Sequence, residues 1–321
     1  MIDVKGFSFI EFTSKDLNIF HNLFVNLGFT RIDDPCCVYQ RFYIYEQGNI
    51  RFITSSLGGF EQYFAKLHGP SVSSFGFTVD KSREAYKEAL SLGAEDAMPD
   101  IYHCAIRGVG GSKLYLTDKI ENNPDNIGVG LQYIDHLTHN VNIGQMDKWA
   151  DFYSRIFGFK QIRFFDIKGE KTGLVSKAMG NGKIAIPINE PTEEKSQIQE
   201  YLNEYNGEGV QHIALHTDNI YETVKQLRAN GIEFLDVPDT YYKMLEERIP
   251  DHGEDLDQLK ENKILVDGKK GNLLLQLFTK TYVGPIFFEI IQRKGNKGFG
   301  EGNFQALFDS IERDQMKRGV L

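Results

Sequence analysis

His136, His212 and Glu289 lie far apart in the chain, each inside a short apolar run that reads as a β-strand. The runs are Tyr-Ile-Asp-His136-Leu-Thr-His-Asn-Val, Gly-Val-Gln-His212-Ile-Ala-Leu-His-Thr and Ile-Phe-Phe-Glu289-Ile-Ile-Gln-Arg. A polar side chain in such a run destabilises the fold unless something pairs with it. Two imidazoles and one carboxylate are the ligand set that holds non-haem Fe(II) on one face and leaves positions open for substrate and oxygen. Any one strand histidine is more often a satisfied core residue than a ligand, so the reading rests on the set and its surroundings. Two other histidines compete. His139 falls on the strand face opposite His136 and reads as solvent-facing or structural. His216 shares a face with His212, but it sits at the strand end just before a helix cap and reads as a surface residue. The same alternation argues against Asp135 as a partner for the second ring nitrogen of His136, because strand neighbours point to opposite faces.

The elements that carry these residues occur twice. Leu-Phe-Val-Asn-Leu-Gly28-Phe-Thr-Arg-Ile resembles Tyr-Ser-Arg-Ile-Phe-Gly158-Phe-Lys-Gln-Ile, and each follows a strand-like stretch. Ser74-Phe-Gly-Phe-Thr-Val-Asp80 leads into a helix ending at Leu92-Gly93, as His212-Ile-Ala-Leu-His-Thr-Asp218 leads into one ending at Asn230-Gly231. Asp80 and Asp218 or Asn219 are suitable N-caps, and Asn219 with Glu222 has the capping-box spacing. Val224, Leu227 and Ile232 follow the apolar rhythm of a packed helix, and Gly93 and Gly231 suit the left-handed position that ends one. The expected fold is α+β, with each half reading strand–helix–strands twice. The polar turn-forming segment Glu121-Asn-Asn-Pro-Asp-Asn126 marks the junction, giving domains 1–126 and 127–321. Matching Ile134-Asp135-His136 to Ile10-Glu11-Phe12, and His212 to Ser74, leaves the first copy without either histidine. The strand Lys113-Leu-Tyr-Leu-Thr117 also has no glutamate. A histidine needed merely by the fold would recur in both copies.

The 321 residues carry a net charge of −9, which argues against nucleic acid or an anionic membrane as main partners. A length prior of about 150 residues per domain agrees with two domains. The three cysteines, Cys36, Cys37 and Cys104, have no metal-binding spacing and read as reduced thiols. With no apolar run long enough for a span and no signal-peptide pattern in residues 1–30, the cytoplasm is the expected location.

The strings Asp135-His136, Pro187-Ile-Asn189-Glu-Pro191, Lys195-Ser-Gln197-Ile-Gln, Gly209-Val-Gln-His212-Ile-Ala-Leu, Leu274-Leu-Gln276-Leu-Phe278-Thr, Phe287-Phe-Glu289-Ile-Ile-Gln-Arg-Lys-Gly and Gly298-Phe-Gly-Glu-Gly-Asn303-Phe304 occur in this order. Together they resemble the 4-hydroxyphenylpyruvate dioxygenase family of the vicinal-oxygen-chelate superfamily, over nearly the whole chain and more specifically in its second half. The resemblance implies paired βαβββ modules wrapped into an open barrel in each domain. It implies a metal-free first domain, and a second that binds one Fe(II) through His136, His212 and Glu289. It also implies conversion of 4-hydroxyphenylpyruvate and O₂ to homogentisate and CO₂ in tyrosine catabolism, and a homodimer or homotetramer. Ser176, Asn189, Gln197, Gln211, Gln276 and Asn303 correspond to substrate-binding positions, and Phe278, Phe287, Phe299 and Phe304 would enclose the ring. Gln211 should face away from His212 on an ideal strand, so substrate contact and a structural amide both stay open. A C-terminal helix over 304–317, with Phe304, Leu307, Phe308 and Ile311 at helical spacing, reads as a lid over the metal or as a docked amphipathic helix. Hydroxymandelate synthase, acting on the same substrate at its benzylic carbon, is the closest alternative, and a non-catalytic binding protein of the superfamily a more distant one. Pro187, Asn189 and Phe278 favour the dioxygenase.

Overall fold

The structure is a computed structural model, and it describes residues 2–32, 42–56, 58–97, 104–123, 125–168, 173–237, 239–300, 302–305, 315–316 and 318–319. Cys36, Cys37, Leu307, Phe308 and Ile311 lie outside the described residues. Cys104 is a buried free thiol.

The first half runs β1 (Gly6–Thr13), α1 (Asn18–Asn26), β2 (Thr30–Ile32), β3 (Phe42–Gln47), β4 (Ile50–Ser55), α2 (Gly58–His68), β5 (Ser71–Thr78), α3 (Ser82–Ser91), β6 (Ala105–Arg107) and β7 (Lys113–Thr117). The second runs β8 (Leu131–Asn140), α4 (Met146–Phe157), β9 (Lys160–Lys168), β10 (Gly173–Gly180), β11 (Ala185–Pro191), α5 (Gln197–Tyr205), β12 (Gly209–Thr217) and α6 (Ile220–Ala229). It continues through α7 (Asp239–Arg248), α8 (Leu256–Asn262), β13 (Leu265–Lys269), β14 (Asn272–Phe278) and β15 (Phe287–Lys294). This is the α+β pattern of curled open sheets that the sequence leads one to expect. The short helix pair α7–α8 is an addition to the second half.

The sheet orders are β2-β3-β4-β1-β5-β7-β6 and β13-β14-β15-β12-β8-β11-β10-β9. Reversing the second matches β1 to β8, β4 to β11, β5 to β12 and β7 to β15. Pair directions agree as well. β1·β5 and β8·β12 are antiparallel, while β1·β4, β8·β11, β5·β7 and β12·β15 are parallel. Helices cover the outer faces. Phe12 packs against Phe20 and Phe24 of α1, and His139 stacks on Tyr153 of α4.

Local signals hold with one exchange. The Asn219 side chain accepts from Glu222 N and caps α6, and Val224, Leu227 and Ile232 are buried. Gly93, Gly158 and Gly231 all end helices at positive φ. Asp80, however, does not cap α3. It pairs with Lys5, and Asp118 accepts from Ser82 N at 2.9 Å in its place. Among the described residues, no helix is long and apolar enough to cross a membrane.

Candidate metal centre

β8, β12 and β15 lie side by side in the sheet order β15-β12-β8, which brings the three sequence-distant residues together. His136 Nε2 lies 3.3 Å from His212 Nε2 and 3.3 Å from Glu289 Oε2, and His212 Nε2 lies 3.4 Å from the same oxygen. All three side chains are buried. Ligand atoms about 2.1 Å from a common centre and at right angles to one another are separated by about 3 Å, so the trio fits one face of a metal ion.

Both imidazoles are held at their other nitrogen. His136 Nδ1 is 2.9 Å from Asp135 Oδ1, and His212 Nδ1 is 2.9 Å from Gln211 Oε1. The assumption of strict alternation is therefore wrong at both places, and the register shows why. Opposite β12, the pairing steps from His136 to Ile134 on β8, so Asp135 is an extra residue. Opposite β8, it steps from Val210 to His212, so Gln211 is extra. A β-bulge re-aims its side chains, and here each bulge turns the residue before a ligand onto the ligand's own face.

Charge follows from this packing. Burial disfavours an imidazolium at His136, but Glu289 and Asp135 outweigh it and hold its pKa up at about 9. Burial likewise opposes the Glu289 carboxylate, and the two histidines overcome it, holding the group down at about 2. Desolvation dominates at His212 and lowers it. Burial works against ionised Asp135 too, yet hydrogen bonds from Arg293 and His136 leave it well below the usual carboxylate range. Arg293 makes the fork, with Nε and Nη2 each 2.7 Å from an Asp135 oxygen.

The remaining expected residues form a shell of mixed character. Gln276 Nε2 donates to Glu289 Oε1 at 2.7 Å and to the Phe299 carbonyl at 3.1 Å, and its Oε1 accepts from Asn303 at 2.9 Å. Asn303 also accepts from Tyr241 Oη. Asn189 donates to Gln211 and Asn140, each at 3.2 Å. Asn189 and Ser176 are cross-strand partners, and Asn189 Oδ1 and Ser176 Oγ are buried without a hydrogen bond. Phe287 stacks on His212 at 5.0 Å, with Phe278 edge-on to it at 6.0 Å, and Phe299 meets His136 edge-on at 5.6 Å. Phe304 stacks on Phe165, which also touches Phe299. Gln197 stands apart. It opens α5, is half-buried, and joins none of the described hydrogen bonds that link the others.

Of the two competing histidines, one meets its expectation and one needs correction. His139 is buried and bonded to Tyr153 Oη at 2.7 Å, which selects the structural one of its two readings. His216, expected at the surface, is also buried, 3.2 Å from Asp218, because the face of the Tyr133 ring stacks over it at the strand end. Thr138, whose Oγ1 lies 3.0 Å from His212 Nε2, and Phe165, Tyr241 and Arg293 carry no site expectation in the sequence, and Asp135 is one it wrongly excludes. Only the adjacency of Asp135 and Gln211 to the two ligand histidines signalled any of this.

The repeat comparison also shifts. Register places Phe9 opposite Gly76 as His136 lies opposite Ala214, so Phe9, not Phe12, stands where His136 stands. Phe12 matches His139, as its packing under α1 already indicates. The pairing of Ser74 with His212 holds, and Tyr115 matches Glu289. The three-residue slip arose because Ile10-Glu11 resembles Ile134-Asp135 in residue type, whereas the ladders match Ile10 to Leu137 and the bulged Ser8 to Asp135.

Residues 1–136 match the model described as hydroxyphenylpyruvate dioxygenase, N-terminal, and residues 133–254 that of the glyoxalase/bleomycin resistance protein/dioxygenase superfamily. A 4-hydroxyphenylpyruvate dioxygenase of Legionella pneumophila (strain Corby) is 49% identical, covering 99% of this chain and 97% of its own. One from Pseudomonas aeruginosa is 47% identical over 100% of this chain and 97% of its own. A mutant of 4-hydroxymandelate synthase from Streptomyces coelicolor superposes with a TM-score of 0.85 at 24% identity, over 98% of this chain and 100% of the other, which is a likeness of fold. Identity near one half over essentially the full length of both partners goes well beyond a shared fold, and by it the chain belongs to the 4-hydroxyphenylpyruvate dioxygenase family.

Proposed function

We propose that this chain is an Fe(II)-dependent 4-hydroxyphenylpyruvate dioxygenase, converting 4-hydroxyphenylpyruvate and O₂ to homogentisate and CO₂. The observation that carries the reading is the convergence of His136 Nε2, His212 Nε2 and Glu289 Oε2 within 3.4 Å of one another at a buried site. Two neutral imidazoles and a carboxylate would hold Fe(II) with one net positive charge, which suits an anionic 2-oxo acid. When bound, the metal supplies a Lewis-acidic centre for the oxo acid and a site at which O₂ is activated.

The chain's own residues do the rest. Asp135 and Gln211 accept at Nδ1 of the two histidines, fixing the tautomer that leaves each Nε2 free for a metal. Gln276 occupies Glu289 Oε1 and leaves Oε2 as the ligand atom. Ser176 Oγ and Asn189 Oδ1, buried and unpartnered, can take the phenol hydroxyl, since a buried polar atom without a partner is costly. Phe278, Phe287, Phe299 and Phe304 supply the apolar walls that keep water from the ring. In this reading residues 1–126 are a metal-free domain and 127–321 the catalytic one, and the chain works as a soluble homodimer or homotetramer.

The test is product identification after incubation with Fe(II), O₂ and 4-hydroxyphenylpyruvate. Homogentisate with one CO₂ is expected, and hydroxymandelate in its place would overturn the reading in favour of benzylic hydroxylation.

A further inference from the structure

Resting on that reading of the site, the geometry points to Arg293 as a positioning residue that couples metal occupancy to the ordering of residues 296–300, which precede Asn303. One guanidinium serves both ends. Its Nε and Nη2 grip the Asp135 carboxylate, whose Oδ1 holds His136 Nδ1. Its Nη1 donates to the backbone carbonyls of Gly298 at 2.6 Å and Asn296 at 3.1 Å. The next residue, Phe299, lies edge-on to the His136 ring, with the guanidinium 6.0 Å from its own ring centre.

A second connection runs in parallel. Gln276 bonds Glu289, the Phe299 carbonyl and Asn303, so the carboxylate ligand is also tied to this segment. The third ligand is wired differently. His212 reaches Gln211, which accepts from Asn189, and Asn189 bonds Asn140; these bonds stay within β8, β11 and β12. Two of the three ligands therefore share polar partners with one short stretch of backbone.

Binding a metal fixes the His136 ring. That fixes the Asp135 oxygen and so the plane of the Arg293 fork. The fork in turn sets where two carbonyls of this segment can sit. Coupling of this kind is reciprocal, so an ordered segment also raises metal affinity. Only a planar fork with spare N–H groups can make all these bonds. A lysine ammonium is a point charge that can satisfy the carboxylate or the carbonyls but not hold them in a fixed relation.

Backbone hydrogen exchange of a peptide covering 294–305, measured anaerobically with and without Fe(II), reads the coupling without turnover. In the wild-type protein Fe(II) should slow exchange there by about tenfold, within the range of ordinary site-to-site couplings. Arg293→Lys and Arg293→Gln should reduce the slowing to less than about twofold and weaken Fe(II) binding about 10- to 100-fold. Asp135→Asn should behave like them, and unchanged exchange in β1 and β5 verifies that the variants are folded. Undiminished Fe(II)-dependent slowing in the Arg293 variants would overturn the inference, as would a wild-type protein that binds Fe(II) with no slowing. A wild-type protein that takes up no Fe(II) would instead refute the functional reading, and the inference with it.

Discussion

The two sheets of this molecule share strand order, pair directions and even bulges, yet among the described residues one gathers a trio able to hold a metal and the other does not. Ser8 and Ser73 in the first half occupy the bulge positions of Asp135 and Gln211 in the second. Behind them, Phe9, Ser74 and Tyr115 stand where His136, His212 and Glu289 stand, and Phe9 and Tyr115 pack as an aromatic pair at 5.6 Å. A further pairing persists. Ser74 donates to Glu11, and the matching residues His212 and Thr138 are 3.0 Å apart. The scaffold thus delivers three inward side chains from neighbouring strands in both halves. The residue types at those positions, and at the bulge before each histidine, separate a packed interior from a candidate metal centre. The first half keeps a buried charge of another kind, a Glu61–Lys113 pair at 3.0 Å, and burial pushes the Glu11 carboxyl up towards its neutral form.

The largest effect should come from removing the difference. His136→Ala, His212→Ala or Glu289→Gln should each lower turnover about a thousandfold or more, because losing the metal forfeits several kcal/mol of transition-state stabilisation. Steady-state kinetics beside metal analysis checks this, and substantial activity in one variant removes that residue from the ligand set. Installing the first half's pair with the double variant His136→Phe/Glu289→Tyr should give a folded, metal-free protein. Next come the bulge residues. Gln211→Ala should weaken Fe(II) binding about 10- to 100-fold with the fold intact, read by anaerobic titration. Ser73→Ala, its counterpart, should leave that affinity unchanged.

A third effect separates His139 from its counterpart Phe12. Burial lowers His139 from 6.5 to about 3, so the unfolded chain takes up this proton first as pH falls. Its contribution to stability is whole above pH 6.5 and is lost progressively towards pH 3. Denaturant melts across that window should show a shallower loss for His139→Gln than for the wild type. Smaller still, Phe304→Ala should reduce turnover by up to about tenfold, the worth of one aromatic pairing, with metal content unchanged. The smallest concerns the caps. Asp118→Ala should destabilise by about 1 kcal/mol in thermal melts, whereas Asp80→Ala should do little.

The convergence of His136, His212 and Glu289 was legible because histidine and glutamate are costly inside apolar strand runs, and because the repeat offered an internal control. The α+β architecture and the cap at Asn219 were legible from periodicity and spacing. What escaped was whatever a one-residue insertion in a ladder decides. Bulges at Ser8, Asp135 and Gln211 reverse the facing of their neighbours, and nothing in local composition marks them. For this reason alternation wrongly excludes Asp135 as a partner for His136, while the likeness of Ile10-Glu11 to Ile134-Asp135 pairs Phe12 with the wrong histidine. Arg293 and Tyr241 escaped because they act through residues remote in sequence. Sequence left the two readings of His139 open and misplaced His216 at the surface, because burial by Tyr153 and Tyr133 depends on which elements cover them.

Metal stoichiometry per chain tests the central contrast most directly. Anaerobic Fe(II) titration of wild-type protein and of His136→Phe/Glu289→Tyr, each verified as folded, should give one equivalent and none. A wild-type protein binding no Fe(II), or a double variant that still takes up a full equivalent, would contradict the assignment of the metal to the second sheet.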